Sequence, residues 1–243
     1  MKVALVYDRV NKWGGAERVL MALRELFPEA PLYTSVYNRN TASWAETFTL
    51  HTSYLQSIPG ATSAHEYFPL FMPSAFEQFN FDAYDLVISV TSEAAKGILT
   101  KPQTKHICIC LTPTRYLWSG YDAYFTSALF KRIAAPAVAY LRAWDRIAAM
   151  RPDVMVGISD TVKKRIELYY GRQAEVIYPP VVLQESVLRS SFLAEEKSLR
   201  TKNQEQRADY FLVVSRLVPY KRVDLAIQAC GMLNLPLVIV GTG

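Results

Sequence analysis

Val3-Ala4-Leu5-Val6-Tyr7-Asp8, followed by Trp13-Gly14-Gly15-Ala16-Glu17-Arg18-Val19-Leu20, is the stretch that decides the fold. Val3 to Tyr7 is an apolar run of strand length, as a strand buried on both faces requires. Ala16 to Phe27 then sets Val19, Leu20, Leu23, Leu26 and Phe27 on one helical stripe. A buried strand that turns through Gly-Gly into an amphipathic helix is the opening step of a parallel sheet covered by helices. Glycines at that turn let the backbone approach a ligand closely, and they aim peptide N–H groups and the positive end of a helix at it. A phosphate or a sugar hydroxyl suits such a site. A tight turn that needs glycine for positive φ would produce the same dipeptide.

Outward from this unit the same alternation continues. Strands are expected at Leu32 to Tyr37, Leu86 to Val90, His106 to Leu111, Val154 to Ile158 and Glu175 to Tyr178. The expected class is α/β, a Rossmann-like parallel sheet with helices on both faces. Right-handed crossovers gather the loops that follow the strands on one edge, where ligands of such sheets bind. Residues 185–209 are polar, highly charged and poor in β-branched residues, and read as a linker. A strand at Tyr210 to Val214, a helix from Arg222 to Leu233 and a strand at Leu237 to Val240 follow. The expected division is therefore a Rossmann-like domain over 1–184, the linker over 185–209, and the first β-α-β unit of a second domain over 210–243. One unit of roughly 35 residues cannot cover both faces of its strands, so the second domain reads as truncated.

Composition narrows the class. The chain has 243 residues, 51% hydrophobic and 20% charged, which is the make-up of a folded globular protein and excludes wholesale disorder. The amino terminus has too short an apolar run for a signal peptide. The longest central apolar run, Ile133 to Leu141, contains Pro136 and falls well short of the roughly 20 residues a membrane span needs. Three cysteines and three histidines give no zinc-site spacing, and a reducing cytoplasm is the expected compartment. The net charge of +5 is concentrated: residues 131–172 hold nine Lys and Arg against four Asp and Glu. That excess suggests an anionic partner, either phosphate groups or the acidic inner leaflet of a membrane. A solvated basic helix face accounts for it equally well.

The chemistry-bearing motifs exclude two enzyme classes. The Gly14-Gly15 spacing is not Gly-x-Gly-x-x-Gly, which disfavours a dinucleotide oxidoreductase, and no Gly-Lys-[Ser/Thr] marks a Walker NTPase. Farther on, Val214-Ser215-Arg216-Leu217-Val218-Pro219-Tyr220-Lys221-Arg222-Val223-Asp224 carries a strand into a loop that displays Arg216 and Lys221 just before a helix. Two cations and a helix dipole at one place suit a diphosphate.

Taken together these motifs resemble the GT-B glycosyltransferases of family 4, over essentially the whole chain. Gly14 to Val19 is similar to that family's amino-terminal Gly-Gly loop. Thr112-Pro113-Thr114-Arg115-Tyr116-Leu117-Trp118 resembles the Thr-Pro-x-Arg-Tyr-x-Trp segment of its O-antigen mannosyltransferase-like branch. Ile158-Ser159-Asp160 with Val176 to Val181 is similar to the signature ending its first domain, and Ser215 to Asp224 to its diphosphate-binding loop. The resemblance implies two Rossmann-like domains facing each other across a cleft, with residues 1–184 on the acceptor side. A sugar, with mannose a candidate, would pass with retained configuration from a nucleotide-diphosphate sugar to a glycan or lipid-linked acceptor in cell-surface polysaccharide synthesis. No metal and no cofactor beyond the nucleotide-sugar co-substrate is implied, and no nucleic-acid partner. Carried onto this chain, Gly14, Gly15, Arg216 and Lys221 would meet the donor diphosphate. Glu17, Arg115 and Tyr116 would be acceptor-side, with packing an alternative for Glu17 and Arg115.

Two departures stand out. Many relatives have histidine before the Thr-Pro dipeptide, where this chain has Leu111, and His106 is read as a core histidine instead. The family's Glu-x7-Glu motif and nucleobase pocket would lie beyond Gly243, so this chain alone is expected to be inactive. Tyr116, Trp118, Tyr121, Tyr124 and Phe125 suit sugar stacking, a membrane interface or a satellite core. The alternative from another class is a non-catalytic Rossmann module that binds a sugar or a lipid headgroup.

Overall fold

The computed structural model of the chain describes residues 1–63, 67–180, 210–218 and 221–242. It divides into two compact units, Met1–Val181 and Val182–Gly243. The expected linker, 185–209, lies outside the described residues, as do Pro219, Tyr220 and Gly243.

The first unit is built on a seven-stranded, wholly parallel sheet in the order β3-β2-β1-β4-β5-β6-β7. Its strands are β1 (Val3–Tyr7), β2 (Leu32–Thr34), β3 (Leu50–Thr52), β4 (Leu86–Thr91), β5 (Lys105–Cys110), β6 (Val154–Gly157) and β7 (Glu175–Val176). The helices are α1 (Gly15–Leu26), α2 (Met72–Glu77), α3 (Tyr121–Tyr124), α4 (Ala128–Met150) and α5 (Asp160–Tyr170). Every residue of β1 and β4 is buried, as the centre of a doubly covered parallel sheet demands. Alternation sorts the side chains: Leu5 and Tyr7 pack with Val19 and Leu20 of α1, while Ala4 and Val6 pack with Met72, Ala75 and Phe76 of α2.

Strand expectations agree closely in the centre and diverge at the edges. β3, three residues with an exposed His51 at its middle, has too little apolar pattern to be read, and it is absent from the expectation. β2 ends at Thr34 because Ser35 to Tyr37 leave the sheet to hold the β1–α1 loop, through a single bridge between Val10 and Tyr37. β7 stops after two residues, shortly before Pro179-Pro180, whose missing N–H groups cannot continue a ladder.

Helix ends are chemically marked. Ser127 and Ser159 cap α4 and α5 by accepting from the N–H groups of Phe130 at 3.5 Å and Val162 at 3.2 Å. Gly171, at φ 66°, closes α5 in the left-handed conformation that glycine adopts without strain. In the second unit β8 (Phe211–Val214) pairs in parallel with β9 (Leu237–Val240), and α6 (Val223–Met232) connects them.

Candidate functional site

Because the strands are parallel, the loops after β1, β4 and β5 share the carboxyl edge of the sheet. The β1–α1 loop is held from outside. Val10 N–H donates to Val36 C=O at 2.9 Å, Thr41 Oγ1 to Asn11 C=O at 2.7 Å, and Trp44 Nε1 to Lys12 C=O at 2.9 Å. It is also held from within. The Asp8 carboxylate, 2% exposed, accepts from Thr91 Oγ1 (2.8 Å) and from the N–H groups of Ser92 (2.6 Å), Ala94 (2.9 Å) and Ala95 (2.8 Å). A carboxylate buried this deeply requires filled lone pairs, and filling them fixes the β4 loop against the end of β1.

The two glycines of the turn differ. Neither has positive φ; among the described glycines only Gly60 and Gly171 do, at 82° and 66°. The tight-turn explanation of the dipeptide is thereby removed. Gly14 is extended, at φ −173°, and a Cβ there would stand 3.1 Å from Glu17 Oε2. A Cβ on Gly15 would meet nothing within 4 Å. Gly14 is small because of its own chain, whereas the space beside Gly15, at the amino end of α1, is open. Glu17 is 2% exposed and accepts from the Tyr7 hydroxyl at 2.8 Å, a packing role. Burial and the adjacent Glu17 together push the Tyr7 phenol far above its usual range.

The Thr-Pro-Thr-Arg-Tyr-Leu-Trp segment points largely inward. Tyr116 OH donates to Glu93 Oε1 at 2.8 Å, and Glu93 Oε2 pairs with Arg9. Burial raises the Tyr116 phenol above its ordinary range, so it stays a neutral donor. Thr114 Oγ1 donates to Asp145 Oδ1 at 2.9 Å, while Trp118 Nε1 and Tyr170 OH donate to Asp145 Oδ2 at 2.7 and 2.9 Å. Lys96, 1% exposed, completes the cluster with an ion pair to Asp145 at 2.5 Å and a bond to Glu93 C=O. Arg115 is half-buried, and its carbonyl accepts from Gly120 N–H at 2.8 Å. Tyr116, Trp118, Tyr121 and Phe125 pack around buried Leu117, Val138 and Leu141, which makes most of the aromatic stretch a satellite core.

Gly14, Gly15, Arg115 and Tyr116 therefore share one edge of one sheet, with Glu17 buried behind them. Asp8, Arg9, Glu93, Lys96 and Asp145 organise that edge, and the sequence reading gives none of them a role in the site. One signal was present: Asp145 is the sole carboxylate between Asp122 and Asp153, inside an apolar helix, where a charge must be paired. Leu111, at the family's histidine position, is half-buried against the core. His106 is a core residue, fully buried, with Nε2 2.8 Å from Ser89 Oγ, and burial lowers its pKa to about 3. Among the described residues no cluster of His, Cys, Asp and Glu is arranged to hold a metal.

In the second unit Arg216 and Lys221 lie on the β8–α6 loop. Leu217 N–H donates to Thr242 C=O at 2.9 Å and Lys221 N–H to Val218 C=O at 2.9 Å. Gly241 passes so close to Ser215 that a Cβ would overlap the Ser215 carbonyl oxygen. Arg222, the residue before α6, takes the left-handed conformation at φ 50°, and its guanidinium pairs with Asp224 at 2.8 Å. A non-glycine residue at positive φ costs of order 1 kcal/mol or more and needs support from its surroundings.

No family model and no curated protein matches the chain. Solved structures do. The Anabaena protein Alr3699/HepE in complex with UDP superposes with a TM-score of 0.53 at 15% identity, all of this chain matching 70% of that one. HepE in complex with UDP and glucose gives a TM-score of 0.53 at 18% identity, with 100% of this chain and 61% of that chain covered. At such identities the likeness shows the fold alone, a Rossmann-like α/β arrangement.

Proposed function

We propose that the chain belongs to a retaining glycosyltransferase, similar to the family 4 enzymes of the O-antigen mannosyltransferase-like branch. It moves a sugar, with mannose the candidate, from a nucleotide-diphosphate sugar to a glycan or lipid-linked acceptor in cell-surface polysaccharide synthesis. The observation that carries this reading is the open space at Gly15, exposed at the amino end of a 12-residue helix whose start has no side-chain cap, on the carboxyl edge of the sheet. HepE, of like fold, was solved with UDP and with UDP and glucose, which supports a nucleotide-sugar donor here.

Gly14 and Gly15 admit the donor to the backbone, and Arg216 and Lys221 neutralise its diphosphate. Negative charge grows on the leaving group as the glycosidic bond breaks, so fixed cations stabilise the transition state more than the ground state. Tyr116, held neutral and tied to Glu93, and Arg115 border the acceptor side. The enzyme works in the cytoplasm at the inner membrane face, without cofactor or metal.

Titration calorimetry of the chain with UDP, GDP and inorganic diphosphate tests the reading. The expected result is saturable nucleotide-diphosphate binding that Gly15→Val abolishes without loss of fold. Absence of diphosphate binding in all three titrations would remove Gly14, Gly15, Arg216 and Lys221 from the donor site, and binding of free sugars alone would favour a non-catalytic sugar-binding module.

A further inference from the structure

Helix α4 is apolar on both faces. Val138, Leu141, Ala148 and Ala149 are buried, and on the opposite side Leu129, Ile133, Tyr140 and Ile147 are 69%, 68%, 54% and 60% exposed. With the exposed Pro136, these outward residues recur at i, i+4, i+7, i+11 and i+18, one stripe about 27 Å long at the rise of a helix. A surface helix ordinarily turns polar residues to solvent there, and one that is apolar all round is normally covered. Phe130, 54% exposed, and Tyr124, 54% exposed, widen the patch at its amino end.

Cations predominate beside this stripe. Arg132 and Arg146 are exposed next to it, and Arg142 is half-buried, while the half-buried Lys131 is paired with the exposed Asp122 at 2.6 Å. The sole carboxylate of α4, Asp145, is buried against Lys96. The neighbouring α5 adds Lys163, Lys164 and Arg165 against Asp160 and Glu167. Within the stripe the Tyr140 hydroxyl is the only side-chain hydrogen-bonding group. A protein interface carries about one hydrogen bond per 100–200 Å², so a protein partner would find little to pair with. Apolar side chains that end in water, flanked by arginines, match the boundary between anionic headgroups and acyl chains.

We propose that the outward stripe of α4 docks the protein on an anionic bilayer. Leu129, Ile133, Tyr140 and Ile147 enter the headgroup–acyl boundary, and Arg132 and Arg146 meet lipid phosphates. The contact proposed is peripheral, and no helix among the described residues is long and apolar enough to cross a membrane. The proposal deepens the membrane-face part of the proposed function. Vesicle binding is read with no nucleotide sugar present, so it can fail while the transferase reading stands, and the reverse.

Cosedimentation of the chain with phosphatidylcholine vesicles, with and without phosphatidylglycerol, decides it. Binding is expected to anionic vesicles only, weakening as salt is raised. Arg132→Glu should lower it roughly tenfold or more, since each cation near the surface contributes about 1 kcal/mol. Ile133→Glu should abolish it while circular dichroism stays unchanged, because that side chain is exposed in the fold. Equal binding to neutral vesicles, none at low salt, or undiminished binding of Ile133→Glu would each overturn the proposal. A dimer that Ile133→Glu dissolves, with no vesicle binding, would assign the stripe to a second copy of the chain instead.

Discussion

Lys96 and Asp145 meet at 2.5 Å, each with a side chain 1% exposed, and their pair joins the loop after β4 to the carboxyl-terminal part of α4. Burial works against the Lys96 ammonium, but the Asp145 carboxylate outweighs it and holds the lysine above its ordinary pKa. The same carboxylate gathers Thr114, Trp118 and Tyr170, so one buried charge positions the Thr-Pro segment, α4 and α5 together.

Removing one partner should be costly. Lys96→Met leaves a buried carboxylate without its cation, and Asp145→Asn leaves a buried ammonium without its anion. Each is expected to destabilise the first unit by about 3 to 5 kcal/mol in urea unfolding. The double variant should lose less than the sum, because neither charge is then left alone. Additive losses would show that the two residues are not coupled.

The glycine pair separates packing from ligand access. Gly14→Ala puts a methyl group against Glu17 Oε2 and should lower stability by about 1 kcal/mol. Gly15→Ala meets no neighbouring atom and lies in a helix, so it should hold or raise the melting temperature through unfolded-state entropy. It should nevertheless weaken nucleotide-diphosphate binding, because the methyl group occupies the space assigned to the ligand. Unchanged affinity in Gly15→Ala would remove that assignment.

The legible part of the fold was its buried centre. Val3 to Tyr7 matches the observed strand end for end, because a strand buried on both faces must be apolar at every position. Leu237 to Val240 also matches, as a short apolar run, although its residues are only half-buried or exposed. Leu50–Thr52 was illegible because an edge strand of three residues has no such requirement. In the site, the Gly-Gly turn could be read, since it lies within one local segment. The Asp8 cradle and the Arg9–Glu93–Tyr116 chain could not, because their partners are up to 87 residues apart and no local period records them. The aromatic run after Thr112 was legible as aromatic but not as inward or outward, which depends on where α4 packs.

His106 supplies a pH dependence. Its folded pKa of about 3 lies below the ordinary value of 6.5, so the unfolded chain binds the extra proton throughout the interval between them. Stability is therefore full above about pH 6.5 and falls as the pH drops toward 3, with a loss of about 2 kcal/mol already at pH 5. Urea midpoints from pH 7 to 5 should fall for the wild type and stay flatter for His106→Gln. Parallel curves for the two proteins would place the acid sensitivity in the carboxylates instead.

The second unit carries the sharpest test of the transferase proposal. Arg216 lies between two anchored residues, since Leu217 N–H donates to Thr242 C=O and Gly241 approaches Ser215 closely, and Lys221 N–H donates to Val218 C=O. Arg222 adjoins them but is paired with Asp224 at 2.8 Å, and it makes a matched control. Arg216→Ala and Lys221→Ala should each weaken UDP binding by roughly tenfold or more, as expected for a lost charge-assisted hydrogen bond. Where turnover is measurable, each should lower kcat/KM by about 10²-fold, comparable with removing one oxyanion donor. Their effects should fall short of multiplying, because both act on one diphosphate. Arg222→Ala should cost far less, since the proposal gives Arg222 no contact with the diphosphate. Equal losses in all three variants would point to a diffuse basic loop, and unchanged affinity in both Arg216→Ala and Lys221→Ala would separate this loop from the donor altogether.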